Sequence, residues 1–160
     1  WGDTKELILT STESAYTDQA EATTPHNGAN LTELQTYYTQ FRDWGNSDGT
    51  VKINSKGKIA FYKFDLTQAK SINGTINKVT LNIKVTGSGD GKQVDKIRVL
   101  GYNHNWDAAT LTNSTITNTT GTITGEVTST GSFQPLDSKS EIKVTSFPQT
   151  LDIDAKTYIT

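Results

Sequence analysis

The sequence predicts an all-β protein built as a β-sandwich with short helical turns in its loops, and three observations carry that expectation. Thr, Val, Ile and Tyr, which favour pleated and half-covered surfaces, outnumber the helix formers Ala, Leu, Glu and Gln. Apolar and polar residues alternate in short runs. Gly, Asn, Asp and Ser separate those runs, and these residue types close turns. Only 32% of the 160 residues are apolar, so one economical core is expected in a single module spanning residues 1–160.

Element by element, Glu6-Leu7-Ile8-Leu9 reads as an opening strand. In the polar stretch that follows, Leu31, Leu34, Tyr37, Tyr38 and Phe41 recur every three or four residues. That spacing predicts a short helix starting near Asn30, whose side chain is placed to cap it. Val51 to Ile53 reads as a short strand and Lys58 to Leu66 as a longer one. Val79 to Val85 alternates most cleanly, with Val79, Leu81, Ile83 and Val85 inward and Thr80, Asn82 and Lys84 outward. The glycines of 87–91 form a flexible connection to a strand from Lys96 to Tyr102. Asp107 and Asp154 are placed to cap brief turns, and Ile142 to Val144 and Thr150 to Ile153 complete the strands. Phe64, Leu66, Ile97 and Val99 join the predicted core.

Charge and composition exclude several classes. Fifteen basic and 17 acidic residues are well mixed, for a net charge of −2, so no nucleic-acid footprint is visible. No apolar run approaches a membrane span. Zero cysteines exclude disulfides, thiol catalysis and cysteine-type zinc sites. The Thr/Asn/Ser-rich surface leans toward a secreted bacterial protein.

Four segments, in order, then point further. They are Ser14-Ala15-Tyr16-Thr17; Ala60 to Leu66 followed by Ile76 to Ile83; Ile97 to Leu100 leading to Asn105-Trp106-Asp107-Ala108-Ala109-Thr110-Leu111-Thr112; and Leu151 to Asp154 with Tyr158-Ile159. Together they resemble the DNRLRE-type (disaggregatase-related) extracellular domain, which is similar to a carbohydrate-binding module family found on alginate lyases. The resemblance implies a jelly-roll sandwich appended to extracellular enzymes or adhesins, with binding rather than catalysis. Against that pattern Ser14 stands where Asp is usual, which weakens a calcium role there, and Ala20–Phe41 looks like an insertion. The family's closing strands do not follow, so they are expected outside this chain or from a neighbouring chain.

Sugar recognition uses exposed rings and a few convergent polar groups. Phe61 and Lys63 are expected on the outward sheet face, as a ring-and-cation platform for an acidic sugar, unless a loop covers them. Arg98, Tyr102 and His104 share a face if their strand stays regular, although Gly101 permits a bulge that would break it, and together they suit a uronate carboxylate. Trp44 lies in a loop with Tyr37, Tyr38 and Phe41 just upstream, a set that serves either binding or the packing of a lid helix. Trp106 is expected in the core. Asp43, Asn46 and Asp48, near Gly45 and Gly49, are the best candidate ligands for a structural Ca²⁺, although the run lies outside the EF-hand pattern and such runs are more often simple turns.

The leading functional expectation is a non-catalytic module of a secreted protein that binds an acidic polysaccharide such as alginate. Second is a structural or adhesive subunit of a cell-surface assembly, its open sheet edge completed by a neighbour's strand. A polysaccharide lyase using Arg98, Tyr102 and His104 ranks last, because no recognisable catalytic motif is present.

Overall fold

A computed structural model describes residues 4–36, 40–42, 51–53, 58–87, 96–116, 133–136 and 141–159. Strands dominate, as composition demands, and helices are limited to single turns. The described residues include no helix long and apolar enough to cross a membrane. The chain groups into two compact units interleaved in sequence. One takes Trp1–Asn73, Asn105–Thr117 and Thr122–Gly125; the other takes Gly74–His104, Asn118–Gly121 and Glu126–Thr160.

In the first unit, β1 (Glu13–Asp18) is the central strand of a three-stranded antiparallel sheet. Its neighbours are β2 (His26–Asn27) and β5 (Lys58–Lys63). The register places Ala15 opposite Phe61 and Thr17 opposite Ile59, so these four side chains share one sheet face. Ala15, Thr17 and Phe61 are buried there. The small Ala15 leaves room for the Phe61 ring, which is closed over by Trp106 at a centroid distance of 5.8 Å. The other face carries Ser14 opposite Tyr62 and Tyr16 opposite Ala60. The expectation of an outward Phe61 is therefore corrected: its residue is 5% exposed, whereas Tyr62 is 45% exposed. Phe64 and Leu66 are half-buried beyond the strand.

Two further expectations fail in this unit. Glu6 to Leu9 is not a strand, and Ile8 is 77% exposed. Pairing to β5 begins only where the Thr12 amide donates to the Lys63 carbonyl, so the residues before it have no β5 backbone left to meet. No helix starts at Asn30. Asn27 instead accepts from the Ala29 amide and caps a single 3₁₀ turn, Gly28–Asn30. Residues 35 and 36 then meet the start of β5: Thr36 donates to the Lys58 carbonyl, and Gln35 accepts from the Lys58 ammonium at 2.6 Å. Those lateral bonds favour extended backbone over a helical turn. Phe41 lies in β3 (Gln40–Arg42), which pairs with β4 (Val51–Ile53) as the sequence leads one to expect for the latter. A one-turn helix, α1 (Thr67–Lys70), is started by Asp65, which accepts from both the amide and the hydroxyl of Thr67.

The second unit follows the predicted alternation closely. β6 (Thr80–Val85) pairs antiparallel with β11 (Gln149–Asp154), setting Leu151 opposite Ile83 and Ile153 opposite Leu81. Leu136, Val144, Leu151, Ile153 and Ala155 form the buried cluster. Val79, Leu81, Ile83, Val85, Ile97 and Val99 pack against it, half-buried, while Thr80, Asn82 and Lys84 are exposed. The predicted strand from Lys96 to Tyr102 breaks at Val99, which packs against the cluster. β7 (Lys96–Arg98) pairs with β10 (Glu141–Lys143), and β8 (Leu100–Tyr102) pairs with β9 (Phe133–Pro135). Asp154 caps the closing turn α2 (Lys156–Ile159) through the Lys156 amide at 3.0 Å, as expected.

Candidate functional site

Among the described residues, the sequence-predicted sugar-site residues do not share one sheet. Phe61 and Lys63 belong to the sheet of β1, β2 and β5, Arg98 to β7 with β10, and Tyr102 to β8 with β9. Phe61 is a core ring. Lys63 is held by an ion pair to Glu13 at 2.9 Å, donates to the Trp106 carbonyl, and sits 4.7 Å from the centre of the Trp106 ring. Glu13 also accepts from the Ala108 amide. That amide, and after it Lys63, hold the Glu13 carboxyl below its ordinary pKa. The charge of Lys63 is thus spent on closing the loop of residues 105–112 over the sheet. The side chain of Arg98, together with Trp44, Asp43, Asn46 and Asp48, lies outside the described residues.

Tyr102 and His104 do come together. Their rings are 5.4 Å apart and tilted by 58°, both half-buried. Between them in sequence, the exposed Asn103 accepts from the Tyr158 hydroxyl at 2.7 Å. The Tyr158 ring lies directly on Gly101, where a Cβ would stand 2.1 Å from Cζ, so glycine is required for that approach. Burial raises the Tyr158 pKa. The result is a ring pair with polar edges beside an amide, all within one unit.

The first unit holds a second constellation, on the opposite sheet face from Phe61. His26 stacks on Tyr16 with centroids 4.2 Å apart and planes 10° from parallel. Asp18 follows Tyr16 by two residues; its Oδ1 accepts from the Ala20 amide and caps the turn Gln19–Glu21. That turn carries Glu21 back toward the imidazole, leaving Glu21 Oε2 at 3.5 Å from His26 Nε2. One donor atom from each of Asp18, Glu21 and His26 lies within 4.8 Å of the others. Lys58, opposite Asp18 in the register, approaches Asp18 Oδ2 only to 4.0 Å. Burial first, then the charges of Glu21 and Asp18, raise the Tyr16 pKa. Sequence reasoning missed this group. The available signal was the i, i+3, i+8 spacing of ligating residue types, which becomes a cluster only once the 19–21 turn folds the chain back.

The chain matches no protein-family model, no curated protein and no solved structure.

Proposed function

We propose that the chain is a non-catalytic carbohydrate-binding module of a secreted protein, taking an acidic polysaccharide such as alginate. The observation that carries this reading is the Tyr102–His104 ring pair, tilted and half-exposed, beside the exposed Asn103. A ring with an apolar body and a polar rim suits the face of a pyranose, and an adjacent amide suits its hydroxyls. The resemblance of the four sequence segments to an extracellular sugar-binding family supports the same reading. Phe61 plays no part in it, since its ring is covered. The oxygen-rich run of Asp43, Asn46 and Asp48 is assigned a structural Ca²⁺, which a chelator-dependent fall in melting temperature would reveal.

Affinity electrophoresis through gels containing alginate, pectin or a neutral glucan tests the reading. Retardation by the two uronate polymers, weakened by Tyr102→Ala, is expected. Loss of the ring should cost on the order of 1 to 3 kcal/mol of binding. His104→Ala should weaken binding less, and Lys63→Ala least, because Lys63 is already paired with Glu13. Equal retardation by the neutral glucan would remove the acidic-sugar assignment. No retardation by any polymer would put a cell-surface assembly subunit in its place.

A further inference from the structure

We propose that Asp18, Glu21 and His26 form a binding site for a borderline divalent transition metal of the Zn²⁺ class, on the β1–β2 side of the first unit. Independent of the sugar reading, this rests on three observations. The three donor atoms converge from a strand, a turn and a second strand, within 4.8 Å of one another. The 3.5 Å between His26 Nε2 and Glu21 Oε2 is close to the edge of a tetrahedron, about 3.4 Å, set by metal–ligand bonds of about 2.1 Å. And His26 Nε2 is shut off from solvent without a hydrogen-bond partner among the described residues. A buried ring nitrogen with no hydrogen-bond partner, 3.5 Å from a carboxylate oxygen, leaves a coordination position that a cation between them would satisfy.

The surroundings favour the same occupant. Stacking on Tyr16 fixes the imidazole plane and aims Nε2 toward the carboxylates. The Ala20 amide holds Asp18 Oδ1, leaving Oδ2 as the ligand atom. Lys58 does not fill the site: its ammonium is bonded to Gln35 at 2.6 Å and stands 4.0 Å from Asp18 Oδ2. One imidazole with two carboxylates selects Zn²⁺ and its neighbours over Ca²⁺ and Mg²⁺, which take oxygen donors and more of them. Three protein ligands leave a fourth position for water or for a group on a partner molecule. The metal would pin the 19–21 turn and β2 to β1.

Zn²⁺ titration of the untagged full chain, followed by calorimetry and thermal melting, tests the site. Stoichiometric binding is expected, with a rise in melting temperature on the order of 5 °C at saturating metal. Ca²⁺ and Mg²⁺ should leave the His26 imidazole signals in place. Glu21→Gln, at a side chain 52% exposed and therefore safe for folding, should weaken binding by about tenfold or more. His26→Gln should abolish it. The chain has two histidines, so imidazole NMR locates the ion: the His26 signals should shift with Zn²⁺ while those of His104 stay. Absence of a Zn²⁺ effect on wild-type melting, unchanged affinity in Glu21→Gln, or shifts at His104 in place of His26 would each overturn the assignment.

Discussion

Strands β1 and β5 in the first unit, and β6 and β11 in the second, are each six residues long and fully paired antiparallel. They are held by different means. Across β6 and β11, plain alternation suffices: Leu81, Ile83, Leu151 and Ile153 meet on one side, while Asn82 and Asp152 bond on the other. Across β1 and β5, rings from elsewhere in the chain land on each face, Trp106 on Phe61 and His26 on Tyr16, while Tyr62 stays 45% exposed. The first arrangement writes itself into the sequence with period two. The second depends on residues distant in the chain, so a ring that looks outward from its own strand can be sealed inside. The lesson is that a strand's burial is fixed by what lands on it, and only alternation near its partner is legible in advance.

The largest expected effect breaks the comparison from the first unit. Phe61→Ala should cost about 4 kcal/mol of stability, since it deletes a buried ring and undercuts Trp106. Leu151→Ala should cost about 3 kcal/mol in the second unit, from the buried cluster alone. Denaturant unfolding measures both. A Phe61→Ala protein of wild-type stability that loses polysaccharide retardation would restore Phe61 as an exposed platform.

Next in size is Gly101→Ala. The new methyl would collide with the Tyr158 ring, so either the ring moves or β8 shifts, at a cost of about 2 kcal/mol. Because Tyr158 also bonds Asn103, the same change should weaken polysaccharide retardation without touching the Tyr102–His104 pair directly. Unaltered retardation in Gly101→Ala would show that the Tyr158–Asn103 bond does not shape the ring site.

How far the molecule could be read from its residues follows the same divide. The Val79–Val85 alternation, the Asp154 cap and the short strand at Val51 to Ile53 are local patterns, and each is found as expected. The helix expected near Asn30 fails because Asn27 caps a tighter turn first and Lys58 draws residues 35 and 36 along β5. The predicted site was assembled from alternation within two strands that do not belong to one sheet. Among the described residues, the Tyr102–His104 pair is an observed contact from it, because those two residues are neighbours in one chain segment. His26 was invisible as a ligand for the converse reason: its partners reach it through a turn that composition does not announce.

A smaller effect separates the units by pH. Glu13 carries a pKa lowered from 4.5 by the Ala108 amide first and Lys63 second. A lowered folded value means stability that is present above the ordinary carboxylate range and lost as pH falls through the lowered one. Glu13→Gln should therefore reduce stability near neutrality, and the gap to wild type should close in acid. A gap that stays constant down to about pH 3 would mean that packing, not the carboxylate charge, holds the 105–112 loop.

The smallest effect lies at Tyr16, and it tests whether the carboxylates beside His26 are ionised neighbours of that ring. Burial is the main reason the Tyr16 phenol titrates above 10.0, with the charges of Glu21 and Asp18 adding to it. Tyr158 titrates high through burial alone. Glu21→Gln removes one negative charge and leaves the stack intact, so the Tyr16 pKa should fall slightly while remaining above 10.0, and Tyr158 should not move. His26→Ala removes the stacked ring, exposes the phenol and should lower the Tyr16 value further, since burial is the larger cause. The sign carries over to stability: a raised folded pKa contributes below the unfolded value and is lost as pH rises through the folded one, here at the alkaline limit. Tyrosine-labelled NMR titration resolves the two residues. If Glu21→Gln leaves Tyr16 where it was, the Glu21 carboxylate points away from the stack, and the geometry drawn for the Asp18–Glu21–His26 cluster is wrong at that residue.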